Sequence, residues 1–504
     1  MRSNCIGIAT AEQPDPTREA RSENSPARRV SSIGSRPRAL MAVTLLLLTP
    51  AAARAAAPTQ QTLFPEEETL LTIQTTPKAV CILGHATEKG LHLQFDADDR
   101  GVVRIHVAAR TGAQPIAVRL DCKGEDGHAT SYPIELRTGT FGTLPNALPK
   151  EQERLGVPAS KEKLRPPLQG NELELSRKDL LSRGYPPRPD PTTAPSLYAR
   201  WLRIVSRPLT IVDPRTVPHP ELSFGQNSPL DSQRLDSPTL PFGPLSALSQ
   251  VFFNSASKNW SGAVISAPGG QLFLAAADWS VPGVSPVGAP PNAVAGEWVG
   301  LDGYVPGSAD IQQSGSASNS YNISGYAFTN YYMWIESWPS PPASVPNFAV
   351  SAGDEVWVFV SLADQNGQTW FSDGSFGNLT AADNTVWFLL INGTQNESAI
   401  IKIPTPSAFV GTSAEFIMER PQVFGSYSPL ANFGEASMLG VSYMDSYYGE
   451  RPWPLACYGH TSFADKLAFI NMKNGADLLD VTLPTAVGDP VGACNILWIW
   501  TDWS

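Results

Sequence analysis

From about Val251 to the C-terminus, apolar and polar residues alternate in short runs: GQLFLAAADWSVP, GEWVGLDGY, YYMWIESW, DEVWVFVSLA, TVWFLLING, AEFIMERP and CNILWIWTDW. A period of two residues sends successive side chains to opposite faces of an extended chain, so each run predicts a β-strand with one face on a core. Gly, Asn, Asp, Ser and Pro punctuate the runs, as turn residues do. Ten or more antiparallel strands in roughly 250 residues, with no long helical pattern, predict an all-β sandwich or barrel.

One of these strands carries an anomaly. In SAEFIMERP the alternation puts Glu415, Ile417 and Glu419 on one face and Ala414, Phe416 and Met418 on the other. Four residues of strand separate the two glutamate α-carbons by about 13 Å, at roughly 3.3 Å per residue. They cannot share a proton, so a partner for a catalytic glutamate here has to come from another strand.

The pattern before Val251 differs. Residues 68–137 contain KAVCILG, GLHLQFDA, GVVRIHVAAR and PIAVRLDC, short alternating runs that predict a small β domain. Residues 138–250 are rich in Pro, Ser, Leu and Arg, with eight Lys/Arg against three Asp between Arg177 and Arg215. That stretch reads as a basic linker with short helical pieces, open to proteases. Further upstream, Arg36 and Arg38 precede an apolar run from Leu40 to Leu48 and an A-x-A arrangement at Ala53 and Ala55. This is the layout of a secretory signal segment cut near Ala55 or Ala57, too short to remain as a membrane span. The polar residues ahead of it fit an internal start such as Met41. The expected organisation is therefore an extension and signal segment (1–57), a small β-rich pro-domain (58–137), a Pro/Arg-rich pro-segment or linker (138–250) and the β-sandwich (251–504), in an exported protein.

Charge sharpens this division. Residues 1–250 hold 30 Lys/Arg and 26 Asp/Glu, whereas residues 251–504 hold 6 and 21. The acidic half argues against a nucleic-acid partner. With every carboxylate protonated it would carry only its six Lys/Arg and His460, little self-repulsion for its length, as suits a protein working in acid. The contrast between the halves also predicts that the basic region masks the acidic one near neutral pH and lets go on acidification. Cysteines are few: Cys81 and Cys122 fall in the small domain and Cys457 and Cys494 near the end, which predicts one disulfide in each for an exported chain.

Elimination narrows the chemistry. A serine triad in the C-terminal half would rest on His460 alone, and no nucleophile elbow, P-loop, dinucleotide fingerprint or zinc spacing is present. Carboxylates helped by amides remain. No metal or cofactor is expected.

Five stretches then align with one another in meaning. NWSGA at 259–263, WVGLDG at 298–303, IQQSG at 311–315, WIESWP at 334–339 and AEFIME at 414–419 resemble, in the same order, the motifs of the glutamic peptidases, or eqolisins: N-W-x-G-A, W-V-G-I-D-G, I-L-Q-T-G, W-Y-E-W-Y-P and A-E-F/W-I-x-E. The resemblance covers residues from about 255 to 425. It implies a concanavalin-like sandwich of two bent sheets and an acid-acting endopeptidase of peptides and proteins, with no metal or cofactor. By position it makes Gln313 the catalytic amide and Glu419 the catalytic carboxylate. It assigns Trp298, Asp302 and Glu336 to the surroundings of the cleft, and Trp334 and Trp338 are aromatic candidates for lining it. This chain departs from the pattern at Ser314 and Ser337 and lacks a cysteine after Asp302–Gly303, differences that bear on the shape of the cleft. The competing reading is a non-catalytic, Trp-rich sandwich that binds glycans or peptides.

Overall fold

The computed structural model describes residues 41–44, 59–138, 163–230 and 253–500, apart from short internal stretches of which 365–383, 453–465 and 486–494 are the longest. The described residues all fall within the unit Leu40–Ser504. The predicted all-β sandwich is present. Five strands build the site: β1 (Trp260–Ser266), β2 (Ala293–Leu301), β3 (Ile311–Ile323), β4 (Tyr326–Trp338) and β5 (Ser413–Glu419).

Their sheet runs from Lys466–Asn474 through β1, β5, β2 and β3 to β4, every neighbour antiparallel. A second sheet, ordered Glu435–Asp445, Leu272–Ser280, Glu355–Asp364, Asn384–Asn392 and Glu397–Pro404, packs against its inner face. The strands Asp477–Thr485 and Asn495–Trp500 join the two along one edge. Between them lies a core that includes Ala263, Ala277, Val299, Met333, Val358, Phe416 and Met418. Alternation sends the neighbours of these residues outward, so Glu415, Ile417 and Glu419 emerge together on the outer face of the first sheet.

Turn chemistry sets the register there. Ser324 and Gly325 both have positive φ, 50° and 88°, the conformation of a two-residue type I′ hairpin whose twist suits its strands. Closing the hairpin on the pair Ile323–Tyr326 puts Gln313 of β3 directly opposite Glu336 of β4.

Both outer faces are covered by residues that precede Val251. The helix Pro195–Val205 lays Trp201, Ile204 and Val205 on the outer face of the second sheet, against Leu274, Trp357 and Phe359. Leu209–Val212 then pairs with Glu397–Pro404. The described stretch 163–230 is thus packed on the sandwich rather than strung out as the linker its Pro and Arg content suggested. Apolar residues at helical spacing in an 11-residue helix override that composition.

In the small domain, a sheet of five strands, Thr59–Leu63, Ala129–Thr138, Ile116–Lys123, Val80–His85 and Glu88–Asp96, packs on Glu68–Gln74 and Val102–Ala109. Cys81 and Cys122 are joined by a disulfide across adjacent strands. The domain does not end where its pattern does: Val102–Ala109 pairs with Tyr326–Thr329 of β4, and Ile323, Tyr326 and Phe328 enter its core. Cys457, Cys494 and, apart from the short strand Met41–Thr44, the predicted signal segment lie outside the described residues. Among those described, no helix is long and apolar enough to cross a membrane.

Candidate active site

The outer face of β1–β5 carries a second apolar cluster, in which Trp260, Trp298, Trp334 and Ile417 meet Leu222 and Phe224 from upstream of the sandwich. Leu222–Ser223 pairs antiparallel with Gln422–Val423, just beyond β5. This pairing carries Phe224 and Gly225 across the centre of the face. There the strands present Gln313 from β3, Glu336 from β4 and Glu419 from β5, all fully buried.

The amide Nε2 of Gln313 donates to the Phe224 carbonyl and to Glu336 Oε2, the latter at 2.7 Å. A backbone carbonyl can only accept, so the NH₂ side of the amide is the one that faces it. Gln313 Oε1 has no hydrogen-bond partner among the described residues. Glu419 accepts from Asn259 Nδ2 at 2.9 Å and from Trp298 Nε1 at 3.0 Å, and the Gly225 N–H also hydrogen-bonds to it. Trp260 Nε1 donates to the Gly225 carbonyl at 3.0 Å. One peptide unit, Phe224–Gly225, therefore has its C=O on Gln313 and its N–H on Glu419.

Two glycines make this approach possible. A Cβ on Gly315 would lie 2.5 Å from Trp298 Cβ, so glycine on β3 leaves room for the Trp298 side chain beside it. A Cβ on Gly296 would lie 2.3 Å from Phe224 Cε1. The Phe224 ring occupies that space, stacked on Trp334 with centroids 3.9 Å apart and planes 7° from parallel.

Electrostatics gives the two central glutamates different states. Burial pushes the Glu419 carboxyl well above its ordinary value, opposed by the hydrogen bonds from Asn259, Trp298 and the Gly225 N–H. Burial also raises Glu336, and there the negative charge of Glu419 adds to the rise. Two like charges so close do not form together. Glu419, with the better donor set, is the first to ionise, and Glu336 keeps its proton.

Six of the residues expected from the sequence gather here. Gln313, Glu336 and Glu419 hold the centre, Trp298 touches Glu419, Trp334 floors the Phe224 pocket, and Trp338 packs on the same cluster with Nε1 4.0 Å from the Gly225 Cβ position. Asp302 is turned elsewhere. With φ of 67° at the end of β2, it accepts hydrogen bonds from Val410 N and Gly411 N at 2.9 Å and from Thr412 N at 2.6 Å, anchoring the entry to β5. Glu415 is buried toward that end, where burial and the charges of Asp302 and Asp310 raise its pKa; Asp310 itself is pushed up to about 6. Asn259 and Trp260, to which the sequence assigns no role, stand in the first motif, N-W-x-G-A, and that motif is their signal. Phe224 and Gly225 carried no local signal, because their importance comes from where the chain returns. Among the described residues, no group of three or more His, Cys, Asp or Glu is disposed to hold a metal ion.

Residues 258–449 match the Peptidase A4 family. No curated protein matches the chain. Among solved structures it is similar to scytalido-glutamic peptidase with a transition state analog inhibitor, at 17% identity over 48% of this chain and 98% of that one, with a TM-score of 0.35. It is also similar to aspergilloglutamic peptidase from Aspergillus niger, at 18% identity over 42% and 99%, with a TM-score of 0.30. The family match spans β1–β5 and all three central side chains. Residues 258–449, which hold all five motifs, are what this chain shares with the Peptidase A4 family, the match that the resemblance to the glutamic peptidases leads one to expect.

Proposed function

We propose that the chain is the precursor of an exported endopeptidase that works in acid, with Glu419 as general base and Gln313 as oxyanion donor. The observation that carries this reading is the single peptide unit, Phe224–Gly225, whose C=O meets Gln313 and whose N–H meets Glu419. A scissile bond needs those two contacts. Ionised Glu419 takes a proton from water as it attacks the carbonyl carbon, then passes it to the departing nitrogen. The Gln313 N–H stabilises the charge that develops on the carbonyl oxygen, worth about 3 kcal/mol for a side-chain amide donor, and its unpartnered Oε1 is free to orient the water. Protonated Glu336 holds the amide in place. Asn259 and Trp298 fix the Glu419 carboxylate, while Trp334 and Trp338 line the cleft for substrate. Asp302 acts one step removed, as a positioning residue for β5.

Acid operation follows from the base. An unperturbed glutamate titrates near about 4.3, and once the covering segment leaves, water relieves the burial that raises Glu419. The upstream region serves as the inhibitor: it fills the cleft, and Arg200 and Arg203 of its helix pair with Asp278 and Glu355 of the sandwich. Protonating those carboxylates removes the attraction. The test is turnover of a peptide mixture at pH 4 by the processed chain and by its Glu419→Gln variant, both shown folded by circular dichroism. Products from the first and none from the second are expected; a non-catalytic binding module would convert nothing in either case.

A further inference from the structure

The segment in the cleft is held as a substrate, not merely as a plug. An inhibitory plug needs only to exclude water and fill pockets, and could do so with side chains. Here the backbone does the docking. The Phe224 carbonyl sits on the amide that would carry the oxyanion, the Gly225 N–H sits on the carboxyl that would protonate the leaving nitrogen, and the Gly225 carbonyl is fixed by Trp260. The Phe224 N–H hydrogen-bonds to Glu336, so consecutive backbone groups on both sides of one bond are engaged. The acyl-side residue is also seated specifically, its ring stacked on Trp334 in the space that Gly296 leaves open.

We propose that Phe224–Gly225 is the bond at which the precursor cuts itself. The inference rests on the reading of Glu419 and Gln313 given above. Water supplies the nucleophile: its oxygen bonds to the Phe224 carbonyl carbon while Glu419 takes one proton, and the charge on the former carbonyl oxygen is held by Gln313. The C–N bond then breaks, the electron pair stays on the Gly225 nitrogen, and that nitrogen receives the proton from Glu419. The products are a chain ending in the Phe224 carboxylate and one beginning at Gly225. Because the seated segment keeps Glu419 buried and largely protonated, the closed precursor processes itself slowly, and the helix pairs Arg200–Asp278 and Arg203–Glu355 hold the two pieces together after the cut.

The same pocket predicts what the released site accepts elsewhere: a peptide with a bulky aromatic residue on the acyl side of the scissile bond and a small residue after it.

The experiment incubates purified full-length chain across pH 3–7 and follows intact mass and new N-termini. The expected result is one early cut giving an N-terminus at Gly225, with a first-order rate that does not change over a 100-fold range of protein concentration. Glu419→Gln and Gln313→Ala should slow it by 10²-fold or more, and Phe224→Ala by about 10-fold through loss of the seated ring, with circular dichroism and melting showing each variant folded. A precursor that turns over an added peptide yet leaves Phe224–Gly225 intact, or cuts it only in proportion to added active enzyme, overturns the inference while the proposed function stands. Failure to cut either substrate overturns both.

Discussion

Stability should be greatest in mild acid and decline as pH rises, because four carboxyl groups are fully buried with pKa values well above the ordinary one: Glu297, Glu336, Glu415 and Glu419. Burial is the leading cause for each; the charge of Asp480 adds to it at Glu297. Above about pH 4.5 the unfolded chain has released these protons while the native state retains them, so the native state binds more protons and loses stability as pH increases. Each such group contributes a slope of about 1.4 kcal/mol per pH unit until it ionises in the folded protein. For four independent groups the ceiling is about 5.5 kcal/mol per unit, which over two units would rival the 5–15 kcal/mol stability of a whole domain. Glu419 and Glu336 are coupled, so the first proton leaves early and the observed slope falls below that ceiling.

The His219 triad does not obscure the effect. His219 lies between Asp96 and Glu221, and these partners outweigh burial to push it up to about 9, while it lowers both of theirs. The carboxylate part of this triad contributes fully above their unfolded values and is lost as pH falls through the depressed ones. The histidine part is complete below about pH 6.5 and lost as pH rises through about 9. Between about pH 4.5 and 6.5 the triad is therefore flat, and a slope there belongs to the buried glutamates together with Asp310, whose pKa of about 6 adds to it only in the lower part of the window. Urea unfolding of the Glu419→Gln chain, in which self-hydrolysis is blocked, measures it. Three buried glutamates remain in that background, for a ceiling of about 4 kcal/mol per unit above about pH 6, where Asp310 has ionised, and adding Glu297→Gln should reduce the slope by about 1.4 kcal/mol per unit. A stability that is level or rising across this window, or equal slopes with and without Glu297, would refute the reasoning.

Glu419→Gln and Gln313→Ala should each lower peptide turnover at pH 4 by 10²–10⁴-fold and 10²–10³-fold respectively, whereas Glu415→Gln, farther along β5, should cost much less; an inactive Glu415→Gln beside an active Glu419→Gln would reverse the assignment. Asn259→Ala removes a donor that holds the Glu419 pKa down, so the acid limb of the pH–kcat/KM profile should move to higher pH, and an unmoved limb would show that Asn259 only fills space. Gly296→Ala puts a methyl where the aromatic ring sits; kcat/KM for peptides with Phe on the acyl side should fall at least 10-fold while those with Ala there change little. Arg200→Glu should weaken the hold of the upstream helix by setting a second carboxylate against Asp278, and the unprocessed chain should then turn over added peptide faster at neutral pH than the parent does.

Sequence alone determined the all-β character, because a period of two is written in every strand that buries one face, and the same alternation told that Glu415 and Glu419 share a side. It also supplied the order of the five motifs, since each is a local run of residues around one strand. Tertiary structure decided the rest. Gln313 and Glu336 are 23 residues apart and meet only because a two-residue turn closes on Ile323 and Tyr326; shifting that register by one would turn Gln313 into the core. Glu419 reaches them across β2, a neighbour that sequence spacing does not name. Asp302, read from its motif as a cleft residue, is directed to the 410–412 loop by a positive φ that no pattern of polar and apolar residues reveals. The path of the upstream segment was the least legible of all. Its Pro and Arg content describes a chain with little local preference, and what orders it is the surface beneath: an apolar sheet face for Trp201, an acidic partner for Arg200, and, at Phe224–Gly225, two side chains brought from separate strands whose hydrogen bonds only a peptide backbone can complete.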